Sequence, residues 1–285
     1  MKNKIKKRRD VMPVSFYEVA WIFMVYAFLG WCVEVAYAAL ETKTFVNRGF
    51  LNGPICPIYG CGVLVVIVIL TPLKYNFLLL FAGSFLLTSV IEFFTGFLLE
   101  KLFHNQWWDY SEENFNICGY VCLKFSILWG LGCTLVMDVV HPTIYKAIRV
   151  MPKIPGSVIL SIFCAAFAID LGITVSTVLK FNQKLKVLDE MASKLKVVSN
   201  EIGENIYEGV TAAVEKGEEW KETVDLKAAE LKEDREQLLK EYHALMEQKS
   251  FGSKRLIKAF PRMKSSFYQE TFLKWKNYRS EKRGR

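Results

Sequence analysis

Five stretches of this chain are apolar enough, and nearly long enough, to cross a hydrocarbon layer of about 30 Å, which takes roughly 20 helical residues. They run from Phe16 to Leu40, Ile55 to Leu73, Phe77 to Leu99, Val121 to Ile144 and Val158 to Leu179. Backbone in lipid must satisfy its own hydrogen bonds, so a chain patterned this way has helices as its main option. The expected fold class is all-α: a polytopic membrane helix bundle of about five spans, residues 16–181, after a basic N-terminal tail, residues 1–15. The second stretch is the weakest. Pro57, Gly60 and Gly62 crowd its first turns and favour a re-entrant start.

Charge lies elsewhere, crowding into the last hundred positions. Residues 182–250 hold no proline, and Leu188, Met191, Leu195, Val198 and Ile202 recur at heptad spacing, resuming with Trp220, Val224, Leu231 and Leu238. This predicts a charged amphipathic or coiled-coil helix. It either pairs with a second copy through Leu188, Leu195 and Ile202 or binds another partner, or else folds back on itself or lies along the membrane. Gly203, Gly209 and Gly217 weaken its middle. Residues 251–285 mix eleven Lys/Arg, counted from Lys254, with Phe260, Phe267, Phe272 and Trp275, a composition suited to anionic lipid. No nucleic-acid partner is expected. Six of the first nine residues are Lys or Arg, which puts the amino terminus in the cytoplasm of a multi-pass plasma-membrane protein. Five spans would then put the basic tail outside, against its composition.

The first and third connections of such a bundle share one end. The first carries Asn47, Arg48 and Asn52 among Gly49, Gly53, Pro54 and Pro57, too many breakers for regular helix. The third carries His104, Trp107, Trp108, Asp109 and Tyr110. Beneath them lie Glu34 and Glu92, about six and seven residues from the expected ends of their segments, or roughly 10 Å deep. Acids at such depth need a partner, a proton or water, and Arg48 is the natural companion. These ten residues form a candidate substrate cavity; the bland alternatives are a lipid-phosphate contact for Arg48 and an interfacial belt for the tryptophans. Asp138 and His141, three apart and so expected on one helical face, with Asp170 near mid-membrane, could continue a translocation or proton path, or simply tie helices together. Cys56, Cys61, Cys118 and Cys122 leave a disulfide open. Their spacings do not match a zinc ribbon, and no metal or cofactor is expected. No G-x-x-x-x-G-K-[ST] occurs, so ATP-driven work would need a separate ATPase subunit.

The runs Phe28-Leu-Gly-Trp-Cys-Val-Glu34, Phe45-Val-Asn-Arg-Gly-Phe-Leu-Asn-Gly-Pro-Ile-Cys-Pro-Ile-Tyr-Gly60 and Thr95-Gly-Phe-Leu-Leu-Glu100 resemble the bacterial type-IV ABC-transporter permease family. So do Trp107-Trp-Asp-Tyr-Ser111, Gly119-Tyr-Val-Cys-Leu-Lys-Phe-Ser126, Trp129-Gly130 and His141-Pro142. The likeness spans about Phe16 to Ile148, with Phe97 where the family usually has Trp and Lys124 where it has an apolar residue or Pro. It implies a many-spanning membrane protein and carries a transporter label without a mechanism. The expected function is a permease-like membrane subunit without its own ATPase, moving a small or amphiphilic solute. The alternatives are an intramembrane enzyme on a lipid or lipid-linked sugar, with Glu34 or Glu92 as base, and a membrane-anchored scaffold acting through its tail.

Overall fold

The computed structural model describes residues 12–216, 218–248 and 252–282, without the side chains at 210 and 212–225. The basic run of Met1–Arg9, Gly217 and the side chains of Trp220 and Val224 lie outside the described residues. The chain divides into two compact units. One comprises Met1–Val178 with Phe251–Ser266; the other comprises Leu179–Ser250 with Phe267–Arg285. The basic aromatic segment 251–285 is therefore shared between the two units.

The first unit opens with α1, Phe16–Thr42. Ser15 accepts from the Glu18 amide at 3.3 Å while Glu18 accepts from the Val14 amide at 2.7 Å, so the end is capped reciprocally. The helix stops at Lys43, whose φ of 53° turns the chain out of the α region. Then come α2, Pro57–Leu70, with a 3₁₀ turn Thr71–Leu73, and α3, Phe77–Phe103. Three two-residue strands follow: β1 (Asn105–Gln106), β2 (Asn116–Ile117) and β3 (Val121–Cys122), with β2 and β3 pairing antiparallel. Next are α4, Leu123–Leu135, a π-helical turn Val136–Val140, and α5, His141–Val150, followed by the long α6, Lys153–Lys216.

Four helical stretches, Phe16–Thr42, Phe77–Phe103, Leu123–Val150 and Lys153–Gly209, are long and apolar enough to cross a membrane; Pro57–Leu73 is apolar but shorter. The count is thus four, against about five from sequence. The physical reason lies in the first loop. The Cys56 amide donates to the Ala27 carbonyl at 2.9 Å, so α2 begins beside the middle of α1. Ala27 precedes Thr42 by fifteen residues, roughly 22 Å along the helix. Residues 43–56 therefore descend beside α1, and the irregular stretch expected within segment two precedes it.

Apolar side chains such as Leu78, Leu86, Val90, Phe94 and Leu102 stay exposed around α3, far more than water tolerates. Inside, Ile22, Val66, Ile67, Leu80 and Met137 form the core. Close approach of α1 and α2 depends on glycines: a Cβ on Gly30 would lie 2.2 Å from Tyr59 Cγ, and one on Gly60 would lie 2.6 Å from the Phe23 carbonyl. At one end of the unit Tyr145 donates to the Met12 carbonyl at 2.7 Å and to Glu18 at 3.0 Å. The loops 43–56 and 104–122 lie at the other.

The π turn corrects one sequence reading. Pro142 has no amide hydrogen and sits in the first turn of α5, and the widened turn just before it shifts the register. Asp138 is exposed while His141 is fully buried, stacked on Tyr145 with ring centroids 5.6 Å apart. They do not share a face. All seven cysteines are free thiols.

In the second unit, α6 continues from Leu179 and α7 spans Glu218–Glu247. Lys184 Nζ donates to the carbonyl of Gln248, sixty-four residues away, at 2.6 Å, so α7 comes back alongside α6. The helix α9, Gln269–Glu281, packs on the same stretch: Phe181 meets Phe272 and Trp275, and Thr271 donates to Asp189 at 2.6 Å. Leu185 and Leu188 are fully buried. Leu188 is therefore taken up within the chain and unavailable for pairing with a second copy, whereas Leu195 and Ile202 are half-buried. Folding back is the alternative the chain adopts.

Candidate functional site

The acid Glu34 sits on α1 eight residues before its end, roughly 12 Å deep; Glu92 sits on α3 eleven residues before its end, roughly 16 Å deep. Both helices outrun the sequence-derived ends, so both acids lie further from the helix ends than expected. Glu34 is well partnered: Arg48 Nε lies 3.2 Å from Oε2, and the Tyr59 hydroxyl donates to Oε1 at 2.5 Å. Arg48 also reaches Glu41 at 3.4 Å and lies 4.8 Å over the Tyr37 ring. It does not bridge the two acids.

Glu92 is 9% exposed. The Tyr110 hydroxyl donates to Oε1 at a long 3.3 Å, and the Trp129 indole is the other hydrogen-bonding group acting on the carboxylate. Its Oε2 is buried and accepts no hydrogen bond of ordinary length. The surroundings are aromatic. Tyr110 stacks on Phe125 with centroids 4.9 Å apart, and Tyr59 meets Trp129 edge-on at 5.5 Å. Glu34 acts electrostatically on Glu92 and on Tyr110, so the two acids share one polar cluster.

The first loop satisfies its backbone through side chains. Asn47 accepts from the Trp31 indole at 2.7 Å and the Gly49 amide at 3.2 Å, and donates to the Asn52 carbonyl at 2.7 Å. Asp170 accepts from the Gly53 amide at 2.6 Å and from the Asn52 amide and side chain at 3.1 and 2.8 Å. It sits seventeen residues into α6, beside this loop, so its carboxylate acts as a backbone anchor.

A returning strap fastens the same loop. It contains α8, Ser253–Ala259, and the strand β4, Lys264–Ser265, which pairs antiparallel with β1. Arg255 donates to the carbonyls of Gly49 and Phe50, each at 2.7 Å. Lys264 pairs with Asp109, and Phe260 packs on Trp107 at 5.2 Å. Phe50 meets Trp107 at 5.0 Å, so the two loops touch. Burial pushes the Asp109 carboxyl up, but Lys264 and the hydroxyl and amide of Ser111 outweigh it and hold Asp109 below the usual carboxylate range.

The structure thus brings together Glu34, Arg48, Glu92 and Tyr110, and adds Tyr59 and Trp129. Trp107 is a buried packing residue, and Trp108 donates its indole to the Tyr120 carbonyl at 2.8 Å. His104, exposed with φ 53°, ends α3 and accepts the Ser266 amide on its carbonyl at 2.9 Å. Asn47, Asn52 and Asp109 shape the loops, and Asp138 and His141 belong to the helix that ends near Met12. Tyr59 and Trp129 stand in the sequence among apolar neighbours, without a spacing that marks them; Arg255 and Lys264 carry no local signal at all.

Residues 21–175 match the family described as "Putative ABC-transporter type IV", which is more than half of the chain. The chain belongs to this family. Every member of the acid cluster, the first loop and Asp170 falls within the match; the strap and the whole second unit follow it. No curated protein and no solved structure matches the chain. Membership in this ABC-transporter family and the long apolar helices agree on a membrane setting.

Proposed function

We propose that this chain is the permease-like membrane subunit of a transport system, with the Glu34–Arg48–Tyr59 and Glu92–Tyr110–Trp129 cluster as its solute-contact site. One observation carries the reading. Two acids lie deep on helices that expose apolar faces, beneath irregular backbone that descends to their level. Non-helical backbone at that depth is tolerated where it is enclosed by protein or lines a polar pathway, and acids there mark solute or ion routes. The chain would sit multi-pass in the bacterial plasma membrane with its amino terminus cytoplasmic, supported by Lys146, Arg149 and Lys153 near the end that holds Met12. Energy would come from a separate ATPase subunit.

The enzyme alternative draws less support, because Asp109 is tied to Lys264 and is not free to assist Glu34 or Glu92. The test is solute flux in proteoliposomes carrying the chain with its ATPase. Loss of flux in Glu92→Gln with unchanged protein insertion is expected; equal flux in that variant removes the proposed site.

A further inference from the structure

With both acids ionised, the cluster carries one negative charge over. Glu34 and Glu92 supply two, and Arg48, directed to Glu34 at 3.2 Å, supplies one. The surplus falls on Glu92. Its hydrogen-bonding neighbours Tyr110 and Trp129 offer a hydroxyl and an indole hydrogen, neither of them a cation. Of the strap's cations, Arg255 points both of its terminal nitrogens at the Gly49 and Phe50 carbonyls, Lys258 donates to the Phe45 carbonyl and Lys264 pairs with Asp109. Lys124 lies out at Glu113, 3.8 Å away. Removing a carboxylate from water without a counter-charge costs several kcal/mol, so such a group is neutralised by whatever positive charge can reach it.

We propose that Glu92 is the recognition point for an ammonium group, so that the solute of the transport reading above is an amine or carries one. This rests on that reading for its biological sense, though not for its chemistry. A buried carboxylate whose Oε2 accepts no ordinary hydrogen bond attracts an ammonium, because Oε2 can take the charge-assisted hydrogen bond while Tyr110 and Trp129 hold the rest of the carboxylate in place. Hard metal ions want six or more oxygen ligands; here the oxygens are the two of Glu92 and the Tyr110 hydroxyl.

The test is equilibrium binding of radiolabelled methylammonium to the full chain in nanodiscs, with sodium chloride and sodium acetate as competitors. Saturable binding that Glu92→Gln weakens at least tenfold, and that neither competitor displaces, is the expected result. Glu92→Gln preserves shape and removes a buried charge, so its melting temperature should equal or exceed that of the parent, which shows that lost binding is not lost folding. Absence of methylammonium binding, including the case in which a proton alone neutralises Glu92, overturns the proposal. So does equal binding by parent and variant. The flux assay separates the two readings: binding without flux in the parent leaves the ammonium site standing and removes the permease, whereas flux without binding does the reverse.

Discussion

Replacing Arg255 by alanine should release the first loop. The guanidinium makes two charge-assisted hydrogen bonds of 2.7 Å to the Gly49 and Phe50 carbonyls. Such bonds contribute about 1.5 kcal/mol each at the low end of their range, so their loss costs about 3 kcal/mol. Gly49 is buried, and its carbonyl gains little from water in exchange. The strap keeps its β1–β4 pairing, the Lys264–Asp109 ion pair and the buried Leu256, Ala259 and Met263, so the unit stays folded. The cost therefore appears as local opening. At about 1.4 kcal/mol per decade, protection of the amides in residues 44–56 and 252–258 should fall by about 100-fold. Hydrogen exchange of the chain in nanodiscs reads this directly. Arg255→Lys, without the planar fork, should recover at most one bond and fall between. Exchange in residues 44–56 that stays within threefold of the parent would refute the assignment of Arg255 as the loop's anchor.

Three further outcomes are expected. Gly30→Ala forces a Cβ to 2.2 Å from Tyr59 Cγ and should lower the melting temperature by an amount equivalent to about 1–3 kcal/mol, while Gly62→Ala, which meets nothing within 4 Å, should leave it unchanged. Arg48→Met leaves Glu34 with Tyr59 alone and should cost about 2 kcal/mol, reduced for its partial exposure; the Glu34→Gln, Arg48→Met pair should be more stable than Arg48→Met alone in the same thermal assay. The Asp109 carboxyl is held below its ordinary value of 3.8, so its pairing stabilises the fold above that value and is lost as pH falls through the lower, folded-state value. Lys264 is half exposed, which keeps the effect to under about 1 kcal/mol. Melting curves between pH 2 and 6 should show an acid-side drop that Asp109→Asn diminishes.

Much of the first unit was legible because burial in lipid writes itself into long apolar runs. Those runs fixed α1, α3 and the start of α6 to within a few residues, and the glycine- and proline-rich stretch after Thr44 announced irregular backbone. Polar residues such as Lys101 and Thr42 still belong to their helices, so Glu34 and Glu92 lie further from the helix ends than a count from the last apolar residue gives. The pairing of Asp138 with His141 failed because a π turn is a register effect that no 3.6-residue count anticipates. Asp170 read as a mid-membrane acid since nothing in its neighbourhood tells that two amides from Asn52 and Gly53 await it. The strap was hidden for the same reason: Arg255 meets its carbonyl partners some 205 residues away, and a contact of that span leaves no mark on either local sequence. Of the heptad residues, Leu188 packs inside the chain, while Leu195 and Ile202 stay half-buried.

The anchoring of the first loop from so far downstream has a consequence for biogenesis. Residues 44–56 leave the ribosome long before Asp170, and longer still before Arg255. At roughly 5–20 residues per second, about 10–40 s pass before the second anchor exists. During that interval the nascent loop must be sheltered by water or by the insertion machinery, so the newborn chain matures only when its last segment arrives.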